Sequence, residues 1–211
     1  MIVKFDNVLV LSPHADDAEF GCGGTIARLV ENGATIHHIV FSKATRSLPA
    51  DFPEYILVEE LRLARIALGL DTGLLHVFDF AVRDFPDHRQ AILEKLIAAR
   101  DAIRPNLVLT PSLNDVHQDH STVAHEAVRA FKRTTILGYE LPWNNLTFNR
   151  QLYVPLKGRH IGAKLAALHC YASQRHRNYN DSEYIESRAR VLGVDINVPY
   201  AEVFEVYRCV L

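Results

Sequence analysis

Two short segments hold most of the residues able to do chemistry. One is Pro13-His14-Ala15-Asp16-Asp17 and the other is Asp115-Val116-His117-Gln118-Asp119-His120. Two histidines and one carboxylate form a common catalytic zinc set, with the fourth position left for water. His14 and Asp17 lie three residues apart on a turn, close enough to hold one ion. His120 becomes a third ligand if the two segments converge. A carboxylate beside such an ion is a natural general base, and Asp16, next to Asp17, would face another side of it. His117 stands one helical turn before His120, so it can face the same cavity without ligating. Asp119 can orient one of the imidazoles, as carboxylates behind metal-bound histidines often do.

Taken singly, each segment has a plainer reading. A His-x-x-Asp at a strand end is commonly a turn or a helix cap, and a His-x-Asp-His is often a surface loop. Their joint presence after two strands of one sheet favours a metal centre. The same donor set also suits Fe(II), which makes a non-heme iron enzyme the alternative chemistry. A catalytically silent sugar- or metal-binding protein is the third reading, against which Asp16 argues, because a mere binding site needs no base.

The elements that must position these segments alternate. Val8–Leu11 reads as a buried strand ending at Ser12-Pro13. A turn at Gly21-Cys22-Gly23-Gly24 then leads into a helix over 25–32 that stops at Gly33. Strands are expected over 35–41, 74–78, 107–110 and 134–137, and helices over 55–68, 88–103 and 121–132. Such alternation predicts an α/β fold, a Rossmann-like, mostly parallel sheet with helices on both faces. Active sites in such folds sit at the carboxyl ends of strands, where both polar segments fall. The last third is less regular, with a short strand at 153–154, helices over 161–174 and 183–192, and a final strand over 201–209. The expected organisation is a single domain over 1–211 with a C-terminal elaboration.

Composition narrows the class. The chain has 211 residues, 48% hydrophobic and 23% charged, which excludes disorder and collagen-like repeats. No apolar run reaches the roughly 18 residues of a spanning helix. Met1–Asp6 lacks the features of a secretory signal, so a cytoplasmic location is expected. A net charge of −2 argues against a nucleic-acid-binding face. Cys22, Cys170 and Cys209 are too few and too scattered for a disulfide framework or a cysteine zinc site. Ile26 stands where a dinucleotide fingerprint needs its third glycine, so the glycines read as permitting a tight turn and close helix packing. The run Arg175-His176-Arg177 reads first as a solvated turn, with contact to a substrate phosphate as the weaker reading. Trp143 is the only tryptophan and suits stacking on a sugar ring or plain packing equally. A homo-oligomer is compatible with the size.

The pair of motifs, with the Gly-x-Gly-Gly run after the first, resembles the PIG-L/LmbE-like zinc N-deacetylases. The resemblance spans nearly the whole chain. It includes Glu60 with Ala64 and Leu68-Gly69, Tyr139-Glu140-Leu141-Pro142-Trp143, Lys164 with Ala167-Leu168, Tyr171-Ala172-Ser173-Gln174, and Tyr200-Ala201-Glu202-Val203-Phe204. It implies a Zn2+-dependent hydrolase, with Fe2+ as the alternative ion, that removes an N-acetyl group from a small amino sugar or glycoconjugate. It further implies His14, Asp17 and His120 as ligands, Asp16 as general base, and a protonated His117 that stabilises the oxyanion or assists the leaving amine. Glu140, Trp143 and Glu202 are implied near the substrate. The chain departs from the pattern at Ala15, where many members have proline, and at Ala18, where they have glutamate. It also departs at Leu57, where several sugar-deacetylating members carry a substrate-contacting arginine. Arg46, in the loop after the second strand, is the candidate replacement.

Overall fold

The computed structural model describes residues 4–210; Met1, Ile2 and Val3 of the segment read for a signal, and Leu211, lie outside the described residues. Seven strands form one sheet: β1 (Asn7–Ser12), β2 (Thr35–Val40), β3 (Leu75–Val77), β4 (Leu107–Pro111), β5 (Thr135–Tyr139), β6 (Leu152–Leu156) and β7 (Tyr200–Arg208). Their order is β3-β2-β1-β4-β5-β7-β6. The first five run parallel, whereas β7 pairs antiparallel with both β5 and β6. The less regular last third is therefore not an appendage, because its two strands extend the same sheet.

Burial on both faces explains the nearly continuous apolar runs of β1 and β4. Val8, Val10, Leu107 and Leu109 pack with α1 (Asp17–Glu31), α2 (Ile56–Ala67) and α5 (Gly158–His169). Leu9, Leu11 and Val108 point the other way, toward α3 (Arg89–Ile103) and α4 (Gln118–Ala130). α6 (Ser182–Val194) packs against β7 through Leu192, Ala201 and Val203. Among the described residues no helix is long and apolar enough to cross a membrane.

The helices differ from expectation in three places. α1 begins at Asp17, eight residues before the expected start, so the glycines lie within a helical run and not in a turn leading into it. The run is kinked at Cys22, whose φ of −145° is not helical. The kink frees backbone N–H groups, and those of Gly24 and Thr25 donate to Glu202 at 3.0 and 2.6 Å. Close packing is the reason for the glycines. A Cβ on Gly21 would overlap the Tyr139 ring, and one on Gly24 would come within 2.6 Å of Leu156 Cδ1. α4 starts at Gln118 because His117 caps it. The helix expected over 161–174 divides into α5 and a separate single turn, Ala172–Gln174.

Candidate metal centre

Strand order reverses at β1, since the chain moves outward through β2 and β3, then returns to β4 on the other side. A crevice opens at such a point beyond the carboxyl ends of the strands. The His14–Asp17 turn leaves β1 there, and the segment from Asp115 to His120 leaves β4. Two buried tyrosines pin the first strand and its turn: Tyr139 donates to the Leu11 carbonyl at 2.9 Å, and Tyr171 to that of Ala15 at 2.8 Å.

The two segments converge. His14 Nδ1 lies 3.1 Å from His120 Nε2, and Asp17 Oδ2 lies 3.5 Å from the former and 3.4 Å from the latter. His14, His117 and His120 each offer a ligand atom within 4.8 Å of the others, so together they could hold a metal ion. The far side of two rings is fixed by a buried carboxylate. Asp119 Oδ2 bonds His14 Nε2 at 3.0 Å, and Asp115 Oδ2 bonds His120 Nδ1 at 2.7 Å. These bonds turn the remaining nitrogens toward one point, as outer carboxylates do in metal sites. Asp119 was expected to orient an imidazole; the matching role of Asp115 was missed. Its signal was its place in the same loop, five residues before His120.

His117 caps α4 and its Nδ1 accepts the Asp119 N–H at 3.2 Å. A ring that accepts at Nδ1 carries its proton on Nε2 when neutral. Burial, with His120 and His14 nearby, holds its pKa down at about 4. Burial and the neighbouring histidines thus favour the neutral ring, whose proton would sit on Nε2.

Charge is concentrated here. Burial alone would lower the His14 pKa, but the bonds to Asp119 and Asp17 overcome it and raise it to about 10. Burial would raise Asp17, but the adjacent His120 and His14 hold it down at about 2. Asp16 is pushed up to about 6 by burial and by the Asp17 charge, against the pull of His14. Asp16 stands at the N-cap of α1 yet makes no side-chain capping bond, and it lines the cavity with His14, His117 and His120. That cavity measures about 280 Å³.

The expected substrate contacts separate. Trp143 lines the cavity and stacks on Tyr179, with ring centroids 3.8 Å apart. Glu140 pairs with Arg188 and lines a neighbouring cavity, which Trp143 also borders. Glu202 lines that second cavity too, bound by Lys164 at 2.7 Å. Arg46 sits at the surface, donates to Asp84 at 2.9 Å and is not among the residues lining the histidine cavity. Leu57 does line it. Cys22 is fully buried, and burial pushes its thiol well up, so it has no reactive character.

A sheet of this order with paired histidines and carboxylates at its switch point defines a class: α/β proteins whose strand ends gather a cluster of side chains that could hold a metal ion. Residues 9–131 match the family described as PIG-L: GlcNAc-PI de-N-acetylase, and the chain belongs to that family of deacetylases. It is 31% identical over 176 residues to the uncharacterized deacetylase YaiS of Escherichia coli, covering 78% of this chain and 90% of that one. It is 28% identical over 137 residues to the diacetylchitobiose deacetylase of Thermococcus kodakarensis, covering 62% of this chain and 50% of that protein. Among solved structures, the conserved protein TT1542 of Thermus thermophilus superposes with a TM-score of 0.80 at 27% identity, covering 97% of this chain and 96% of that one.

Proposed function

We propose that the protein is a metal-dependent N-deacetylase that hydrolyses the acetamide of an N-acetylated amino sugar or glycoconjugate, with His14, Asp17 and His120 as ligands to a zinc ion. The observation that carries this reading is the triangle of donor atoms. Tetrahedral coordination at roughly 2.0–2.1 Å sets ligand atoms about 3.3–3.4 Å apart. The three separations here are 3.1, 3.4 and 3.5 Å. Two imidazoles and one carboxylate also match the donors of catalytic sites that keep a position open. The substrate for which the Thermococcus relative is named, diacetylchitobiose, supports an acetylated amino sugar.

The ion, when bound, supplies Lewis-acid polarisation of the acetyl oxygen and a hydroxide source near neutral pH. The chain's own groups do the rest. Asp16, with no capping bond of its own, takes the proton of the attacking water. His117 donates from Nε2 to the oxygen that gains charge as the carbonyl carbon becomes tetrahedral, a contribution worth roughly 3–4 kcal/mol. Asp16 then returns its proton to the nitrogen as the C–N bond breaks, giving acetate and a free amine. Asp115 and Asp119 keep the two imidazoles in register throughout.

The test is acetate release by metal-quantified protein against a panel of N-acetylglucosamine derivatives. Metal-dependent release that His14→Ala abolishes is the expected result. About one bound ion per chain with no release across the panel would overturn the reaction while leaving the site. Metal analysis of the same sample distinguishes zinc from Fe(II).

A further inference from the structure

A group of cations gathers at the end of the sheet away from the histidines. An open groove of about 760 Å³ lies where α3 and α4 end and β4 and β5 begin, bordered by Arg100, Asp101, Arg104, Lys132 and Arg133. Four cations thus face one carboxylate, in a chain whose net charge is −2. His117 and His120 stand at the opposite end of α4, whose 13 residues span about 20 Å. The groove is therefore separate from the metal centre.

Cations near helix C-termini have an ordinary use, which is to bond the last carbonyls and offset the helix dipole. Two arginines serve it here. Arg100 donates to the Ala130 carbonyl at 3.1 Å, and Arg208 to that of Phe131 at 2.8 Å. Arg100 also engages Asp101, its Nε donating to Oδ1 at 2.8 Å. Arg104, Lys132 and Arg133 are left over. All three are exposed, and among the described residues none of their side chains forms an ion pair or a hydrogen bond.

Arg104 carries the stronger signal. It sits just past the end of α3 with a φ of +53°, and its N–H bonds the Arg100 carbonyl at 2.8 Å. Glycine is the usual residue at such a position, because a Cβ is strained in the left-handed conformation. Pro105 follows and ends the helix whatever residue precedes it. The fold therefore has no need of arginine at 104. A side chain that costs backbone strain and bonds nothing within the chain is explained by a bond outside it.

The lining indicates the chemistry of that ligand. Guanidinium groups bind phosphate oxygens through paired N–H groups, and an ammonium adds a point charge. A single phosphate dianion would leave three free cations unbalanced. Among the described residues no aromatic side chain borders the groove, so a nucleobase has nothing to stack on. The apolar residues of the lining, Pro105 and Ala130, are too small for the buried anchor of a protein partner. We propose that this groove is a binding site for a small anion carrying two or more phosphates, with Arg104, Lys132 and Arg133 as its charge contacts. The proposal stands apart from the deacetylase reading.

Calorimetric titration of the metal-loaded protein with inorganic phosphate, diphosphate, triphosphate and a tetraglutamate peptide tests it. Triphosphate is expected to bind about tenfold tighter than phosphate or tetraglutamate at low salt, with diphosphate between, and less tightly as salt rises. Lys132→Gln together with Arg133→Gln is expected to weaken triphosphate about tenfold with metal content unchanged. Arg104→Gly should weaken it comparably while unfolding at a urea concentration no lower than wild type. Because these anions also bind metal ions, His14→Ala locates the site, and triphosphate affinity there is expected within about twofold of wild type. No triphosphate binding, equal binding of tetraglutamate, or an affinity lost in His14→Ala and kept in the groove variants overturns the proposal. So does an Arg104→Gly protein less stable than wild type, which would give that arginine a structural role.

Discussion

Buried carboxylates cluster at two places along the sheet, and their bonding differs. At the antiparallel end, Glu205 accepts from Ser112 Oγ and Tyr207 Oη on one oxygen and from Asn114 Nδ2 and Asn149 N on the other. Glu202 accepts from Gly24 N, Thr25 N and Lys164 Nζ. Each oxygen of both groups is used. At the β1–β4 crevice, Asp115 and Asp119 each bond one imidazole as well as backbone N–H groups, the other nitrogens of those two rings meet at one point beside Asp17 Oδ2, and Asp16 makes no side-chain capping bond. Satisfied buried carboxylates fix backbone in place. A carboxylate left open beside converging donors is available for proton transfer. Both groups stand in family-like motifs, so the difference lies in unfilled hydrogen-bonding capacity and not in burial or residue type.

The sharpest way to break this contrast is to remove the open carboxylate. Asp16→Asn is expected to lower kcat by about 10²–10⁴-fold, the range for a general acid–base, with metal content and unfolding midpoint near wild type. Near-normal turnover would remove Asp16 from the mechanism. The corresponding change at the saturated end should reverse the pattern. Glu202→Ala leaves Lys164, 7% exposed, without its counter-ion and two kink N–H groups without acceptors. A loss of about 3–5 kcal/mol in denaturant unfolding is expected, with metal still bound by the folded fraction. A stable Glu202→Ala protein that cannot bind metal would place Glu202 in the site after all.

The convergence of histidines and carboxylates was legible because its two halves are local. His14 and Asp17 share one turn, and His117 and His120 share one helix start, so spacing alone suggested their convergence once both were read as following strands. The parallel order was legible from alternation. Two arginines that line the cavity were not. Arg83 sits in an irregular segment after β3, and its backbone N–H donates to Asp119, 36 positions away. Arg177 reads as a solvated turn until Glu60, 113 positions before Ser173, anchors that turn. The early start of α1 was hidden because glycines read as a turn, and the close approach of Tyr139 that requires them is a tertiary fact. Arg46 is the converse case: proximity in sequence to the second strand suggested the site, but Asp84 holds it at the surface.

A smaller effect comes from the bonded carboxylates of the crevice. Asp115→Asn keeps the shape but weakens the acceptor that holds His120 Nδ1 at 2.7 Å. Metal affinity is expected to fall about 10–100-fold, as for outer partners of metal-bound histidines, with little change in fold stability. Competition with a chelator of known affinity reads this directly. If affinity is unchanged while stability falls, Asp115 belongs with the saturated carboxylates and the contrast loses one of its members.

The smallest expected effect concerns a buried group that is saturated and yet titratable. His38, on β2, is 1% exposed, and its Nε2 bonds Ser12 Oγ at 2.8 Å. Burial, assisted by the Arg65 charge and opposed by Asp17, holds its pKa down at about 3. In the unfolded chain the ring titrates near 6.5. Between these values the unfolded chain binds a proton that the folded chain does not. The contribution to stability is therefore complete above about pH 6.5 and is lost progressively as pH falls toward about 3. For this one site the loss between pH 7.5 and 5.5 is about 1.4 kcal/mol. His38→Gln retains a partner for Ser12 but cannot titrate, so its stability should fall less over that interval, by the same amount. Urea unfolding of both proteins at the two pH values measures the difference. Parallel acid losses would show that the folded chain protonates His38 without penalty, which the closed packing between β1 and β2 does not permit. A difference near the expected value would show that bonding a buried polar group leaves a pH dependence behind even where no chemistry is done.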